Sequence, residues 1–159
     1  MIKIKTVNPG GDYSEAMQVR YAVFVEEQGV PHENEVDEYD KTAYHVVMTD
    51  NANNDKPIAC GRLYFLDDIA KLGRVAVISE YRRKGFAIEI CKELIYLAKS
   101  HGAKKVVLHS QTYVVPLYEK LGFKCVGDEF SEENIPHFKM ELVFGKESLL
   151  KSLFSEFVK

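Results

Sequence analysis

A chain of 159 residues with 46% apolar and 28% charged residues has the composition of one soluble globular domain, which excludes a disordered or fibrous chain and a second full-sized domain. With 21 Lys and Arg against 24 Asp and Glu the formal charge is -3, so no global positive field draws in nucleic acid or an anionic membrane. No stretch reaches the ~20 apolar residues of a membrane span, and the expectation is a cytoplasmic protein.

Along the chain, Ile2 to Val7 alternates as a strand and is broken by Asn8-Pro9-Gly10-Gly11-Asp12. Ser14 is the expected N-cap of a helix running through Met17, Val19, Tyr21 and Phe24. Glu26 to Asp40 holds seven acidic residues and no Lys or Arg, interrupted by Gly29, Pro31 and Asn34, so it reads as a loop or short helices. Ala43 to Thr49 and Pro57 to Phe65 are strands around the hairpin loop Asp50 to Lys56. Ile69 to Ile78 is a third long strand with Gly73 as a bulge. Gly85 to His101 is the clearest helix, with Phe86, Ile90, Leu94 and Leu97 on one apolar stripe and Gly102 as its stop. Lys105 to His109 is a short buried strand, and Val115 to Leu121 is a short helix with Pro116 in its first turn and Gly122 after it. Phe123 to Val126 and Phe138 to Phe144 close the sheet as an antiparallel pair. Cys60, Cys91 and Cys125 form no CxxC pair and sit in apolar stretches, which predicts buried free thiols. In Glu147 to Lys159, Leu149, Leu150, Leu153, Phe154, Phe157 and Val158 recur at helical spacing. Residues 145–159 therefore read as an amphipathic helix that packs on the domain or on the second subunit of a homodimer. The fold class is α+β, a central, mixed, mostly antiparallel sheet flanked by helices, parallel where the Ile69 strand meets the Lys105 strand through a right-handed crossover.

The sharpest chemical signal is Val75-Ala-Val-Ile-Ser-Glu-Tyr-Arg-Arg-Lys-Gly-Phe-Ala87: a strand, a turn with three consecutive cations, and a glycine opening a long amphipathic helix. A helix N-terminus offers unpaired N–H groups and a partial positive charge. Gly85 lets a bulky anion approach, and Arg82, Arg83 and Lys84 add ionic contacts, so the natural ligand is a phosphate or pyrophosphate. The alternative is ordinary surface charge before a helix. Neither GxGxxG after a strand nor GxxxxGK[ST] is present.

Arg82, Gly85 and Ala87 stand at the positions of the Arg/Gln-x-x-Gly-x-Gly/Ala loop of the GNAT acetyltransferases. Gln111-Thr-Tyr-Val-Val-Pro-Leu-Tyr-Glu-Lys-Leu-Gly-Phe123 resembles that family's second signature, with Gln111 where Asn is usual and Val114 where Ala is usual. Arg20 to Pro31, with Ile135 to Met140, resembles the bacterial ElaA-like subgroup. The resemblance implies a GNAT acyl-CoA N-acyltransferase fold over residues 1–144 and direct transfer of an acetyl group from acetyl-CoA to an amine. It implies that the backbone from Arg82 to Ile88, with Phe86 and Ala87, holds the pyrophosphate. The strand through Val75 and Val77 would pair with the pantetheine and supply an oxyanion donor, Gln111 and Tyr118 would contact the cofactor, and Tyr118 would protonate the departing thiolate. A lysine-like ammonium of pKa ~10.4 must first lose its proton at a cost of roughly 4 to 5 kcal/mol, so a base is needed. Glu26, Glu27, Glu129, His109 and His137 are the candidates. The acidic segment fits a cationic acceptor such as a polyamine, an aminoglycoside or a peptide amine, the alternative being a solvated loop. No His/Cys/Asp/Glu cluster has metal-ligand spacing, so no metal is expected. The competing reading is an acyl-CoA sensor or interaction module that keeps the cofactor site and transfers nothing.

Overall fold

The structure is a computed structural model, and it describes residues 1–145; the C-terminal helix expected beyond them lies outside the described residues. Seven strands form one sheet in the order β1 (Ile2–Val7), β2 (Tyr44–Asp50), β3 (Lys56–Leu66), β4 (Ile69–Val77), β5 (Lys105–Gln111), β7 (Ile135–Val143) and β6 (Lys124–Glu132). The β1–β2, β2–β3, β5–β7 and β6–β7 pairs are antiparallel. Ile69, Ala70 and Lys71 of β4 run parallel to Lys105, Val106 and Val107 of β5. The α+β class and the one parallel junction agree with the sequence reading. The described residues divide into two compact units, Met1–Tyr64 with Gly73–Leu94, and Phe65–Leu72 with residues 95–145. Among the described residues no helix is long and apolar enough to cross a membrane.

In the first unit, β2 is buried on both faces at Val46, Val47 and Met48, while Ile4 of the edge strand β1 is exposed. The first helix, α1 (Ser14–Arg20), buries Ala16 and Val19. Its N-cap is Tyr13 and not Ser14, which is already helical and donates its N–H to Asp12 Oδ1 at 2.9 Å. Asp12 thus satisfies one of the unpaired amides at the helix start, one residue earlier than the serine could. After Arg20 the rod continues as a π-helical segment, Tyr21–Glu27, closed by Gln28 N–H to Val23 O at 3.1 Å. The acidic segment then folds as α2 (His32–Glu35) and a tight turn over Glu38–Lys41. That turn is fixed by Asp37 accepting from Tyr39 N–H and by Asp40 accepting from Asp37 N–H. The long helix α3 (Phe86–Ser100) lies so close to β3 that a Cβ on Gly61 would sit 2.6 Å from Ile90 Cγ2 and 2.7 Å from Leu94 Cδ1. Only glycine fits there. In β4, Arg74 next to Gly73 is left-handed at φ 52°. A left-handed arginine costs on the order of 1 kcal/mol, which its ion partners offset.

In the second unit, Val106, Val107 and Leu108 of β5 are buried and β7 lies between β5 and β6. The closing pair is antiparallel as expected but longer, because the chain reverses only at Glu133–Asn134, both left-handed at φ 51° and 60°. This hairpin was hidden in the sequence because its turn contains no glycine. It puts Cys125 on the outer strand, exposed, against the expectation of a buried thiol, whereas Cys60 and Cys91 are buried and their thiols are pushed up to about 12 by burial. The short helix α4 (Val115–Lys120) carries Pro116 in its first turn. It ends where the N–H groups of Leu121 and Phe123 both donate to Tyr118 O, at 3.0 and 3.1 Å.

Candidate active site

The anion loop of the first unit follows directly from β4. A turn over Ser79–Tyr81 leads into Arg82–Gly85, in which Arg83 (φ 64°) and Gly85 (φ 81°) are left-handed and Lys84 between them is not. Alternating handedness of this kind turns successive N–H groups toward one side, the geometry of an anion nest. A Cβ on Gly85 would meet nothing within 4 Å, so the backbone angle, not space, is what calls for glycine. The first helical bond is Glu89 N–H to Gly85 O at 3.1 Å, which leaves the N–H groups of Phe86, Ala87 and Ile88 without a partner one turn back. Arg83 and Lys84 are exposed, and Lys84 Nζ lies 5.5 Å over the Tyr81 ring. Tyr81, which the sequence reading passed over, anchors the turn by donating to Asp50 Oδ2 at 2.7 Å. Val75 and Val77 are half-buried, alternating with buried Ala76 and Ile78. The parallel register with β5 stops at Lys71, before either valine.

Arg82 and Glu27, read from sequence as an anion ligand and a base, face each other. Arg82 donates to Glu27 through both terminal nitrogens at 2.6 Å and through Nε to Val77 O at 2.8 Å. The hydrogen bonds from Arg82 hold the Glu27 carboxyl below the usual carboxylate range, which weakens it as a proton acceptor. Glu26, beside it, is exposed.

The acidic segment is less available than its composition suggests. Arg20, 1% exposed, donates from Nε to Glu35 Oε1 (2.9 Å), from Nη1 to Asp40 Oδ1 (2.7 Å) and from Nη2 to Glu35 O (2.7 Å). Arg62 Nη1 adds bonds to Asp37 Oδ1 (2.7 Å) and Asp40 Oδ1 (3.0 Å). Arg74 Nε stands 3.1 Å from Glu35 Oε1, an ion pair out of line for a hydrogen bond. Four of the seven acidic residues are therefore paired with arginines from elsewhere, leaving Glu26, Glu33 and Glu38 exposed. The sequence carried a signal for this cluster: Arg20 occupies a core position of the stripe Ala16, Val19, Arg20, Val23, where an isolated charge would be costly.

The second unit carries the other candidates. Tyr118 on α4 is 7% exposed and packs edge-on against Phe123 at 5.8 Å. Gln111 ends β5 opposite His137 of β7. His109 Nδ1 lies 2.9 Å from Glu132 Oε1, and Glu129 accepts from the Thr112 hydroxyl at 2.8 Å. His137 is buried with Nδ1 2.7 Å from Ile135 O. Glu132 was not singled out in the sequence, because the strand that carries it was not recognised beyond Val126. Among the described residues no group of three His, Cys, Asp or Glu side chains is arranged to hold a metal ion.

Three comparisons bear on this arrangement. The family model for the acetyltransferase (GNAT) domain matches residues 12–144. The chain is 38% identical over 127 residues to the uncharacterized N-acetyltransferase YjcF of Bacillus subtilis, spanning 79% of this chain and 89% of that one. It is similar to the crystal structure of Escherichia coli ElaA, with a TM-score of 0.78 and 26% identity over 89% of this chain and 99% of the other.

Proposed function

Because the chain belongs to the GNAT acetyltransferase family, we propose that it moves an acetyl group from acetyl-CoA to a primary amine of a cationic small molecule or peptide. The observation that carries this reading is the loop from Arg83 to Ile88, with its left-handed Arg83 and Gly85, exposed cations and unpaired helix-start amides. That combination suits the pyrophosphate of coenzyme A. Val75 and Val77, past the end of the β4–β5 register, are suited to pair with the amide-bearing pantetheine as an added strand would, and a main-chain N–H there would stabilise the oxyanion. Exposed Glu26, Glu33 and Glu38 favour a cationic acceptor over an anionic one. The bacterial relatives support a bacterial setting, and the acyl-CoA donor supports the cytoplasm.

In this reading a neutral amine attacks the thioester carbonyl, the C–N bond forms, and the C–S bond breaks from the tetrahedral intermediate. A thiol of pKa near ~8.5 needs only modest help to leave, which the Tyr118 hydroxyl supplies as a proton. Tyr118→Phe is expected to lower turnover roughly 10- to 100-fold while the acetyl-CoA dissociation constant stays within about twofold, since the hydroxyl matters when the thiolate departs. Calorimetric titration with acetyl-CoA, followed by thiol release with a panel of amines, checks the whole reading. Binding with release supports an acetyltransferase, binding without release favours an acyl-CoA sensor, and no binding removes the anion-loop assignment.

A further inference from the structure

Resting on the proposed acetyl transfer, we infer that Glu132 is a positioning residue that holds His109 as the general base for the acceptor amine. The registers His109 opposite Lys139, Gln111 opposite His137, Phe130 opposite His137 and Glu132 opposite Ile135 put His109, His137, Phe130 and Glu132 on one face of β5, β7 and β6. A carboxylate only accepts, so the 2.9 Å contact with Glu132 Oε1 places a hydrogen on His109 Nδ1 and leaves the lone pair on Nε2. The other oxygen, Oε2, lies 3.6 Å from His137 Nε2. His137 is itself fixed by donating from Nδ1 to Ile135 O at 2.7 Å. The Phe130 ring meets His109 edge-on at 5.0 Å and His137 face-on at 6.0 Å, so the imidazole is held from two sides. A carboxylate on Nδ1 with a free Nε2 is the arrangement that orients an imidazole as a base and stabilises the imidazolium once it forms.

The other candidates lack this arrangement. Glu27 is tied to Arg82, Glu129 accepts from Thr112, and among the described residues no side chain pairs with exposed Glu26. His109 is 42% exposed at its side chain, so an amine can reach it. The other charged groups around it are Lys139, directly opposite on β7 and leaning 4.0 Å from Glu141, and Lys105 further along β5, bonded to Glu141 at 2.9 Å. In the step, the amine nitrogen bonds to the acetyl carbon and yields its proton to His109 Nε2. The thiolate leaves and takes a proton from Tyr118, and solvent returns the imidazolium proton to the tyrosine oxygen.

The test uses the full chain with acetyl-CoA, benzylamine and spermidine as amine probes, and thiol release followed across neutral pH. His109→Gln is expected to lower kcat roughly 100-fold with acetyl-CoA affinity within about twofold. Glu132→Gln should lower kcat about tenfold and let the Nε2–H tautomer of His109 appear in nitrogen-15 spectra, because an amide no longer fixes the ring hydrogen on Nδ1. A merely structural Glu132 would leave that tautomer unchanged. In the His109→Gln background, Glu132→Gln should cost nothing further. Nitrogen-15 spectra of the unaltered protein should show the Nδ1–H tautomer at His109, and the opposite tautomer overturns the inference without any variant. Release by His109→Gln within about threefold of the unaltered protein also overturns it while acetyl transfer stands. No release from the unaltered protein with either probe overturns the proposed function and this inference with it.

Discussion

Replacing Arg20 with Met is expected to destabilise the protein by about 3–5 kcal/mol, because it removes a cation that bonds both Glu35 and Asp40 in a buried site. The cost comes less from lost attraction than from two carboxylates left in the interior with incomplete partners. Arg20→Lys should recover only part of the loss, since a point charge cannot reach Glu35 Oε1, Glu35 O and both Asp40 oxygens at once. Urea unfolding monitored by circular dichroism measures both variants, and a loss below about 1 kcal/mol for Arg20→Met would reduce the cluster to an ordinary surface pair. The same cluster sets the response to acid. Burial alone would raise the Asp40 carboxyl, but the hydrogen bond and charge of Arg20, with Arg62 nearby, hold it well below the usual range. Its contribution is fully present above the unfolded value near ~3.9 and is lost as pH falls below about 4. Asp40→Asn, although less stable at neutral pH, should therefore lose stability less steeply below that point than the unaltered protein.

Gly85→Glu is expected to weaken acetyl-CoA binding at least about 100-fold, equivalent to roughly 2.7 kcal/mol. Two effects add. A side chain at φ 81° strains the backbone by on the order of 1 kcal/mol, and a carboxylate where the loop collects N–H groups repels a pyrophosphate. Since a Cβ there meets no heavy atom within 4 Å, Gly85→Ala isolates the backbone part and should weaken binding only severalfold. Calorimetric titration separates the two, and an unchanged dissociation constant for Gly85→Glu would end the assignment of this loop.

What the sequence made legible follows the range of the forces involved. Short-range signals survived well: the alternation of Ile2–Val7, the stripe and glycine stop of α3, and the strand, turn and helix around Gly85 each depend on neighbours a few residues apart. Long-range pairings did not show. Arg20 meets Asp40 across twenty residues, Arg82 meets Glu27 across fifty-five, and His109 meets Glu132 across twenty-three, and no periodicity encodes such meetings. One local misreading comes from a conformation taken by an unusual residue: Glu133 is left-handed in a hairpin turn where glycine or asparagine is common. Ser14 is not the cap because the helix begins one residue earlier than expected, with Tyr13 as the N-cap and the Ser14 N–H held by Asp12.

The two compact units alternate along the chain, with β4 passing from one to the other between Leu72 and Gly73 and α3 doing so between Leu94 and Ile95. During synthesis the first unit lacks the opening turns of its long helix until residue 94 has left the ribosome. By then Ile69–Lys71 has emerged while its partner strand, Lys105–Val107, has not. Neither a single protease cut nor a gene truncated at one end can therefore deliver either unit alone, since each such piece carries a segment of the other.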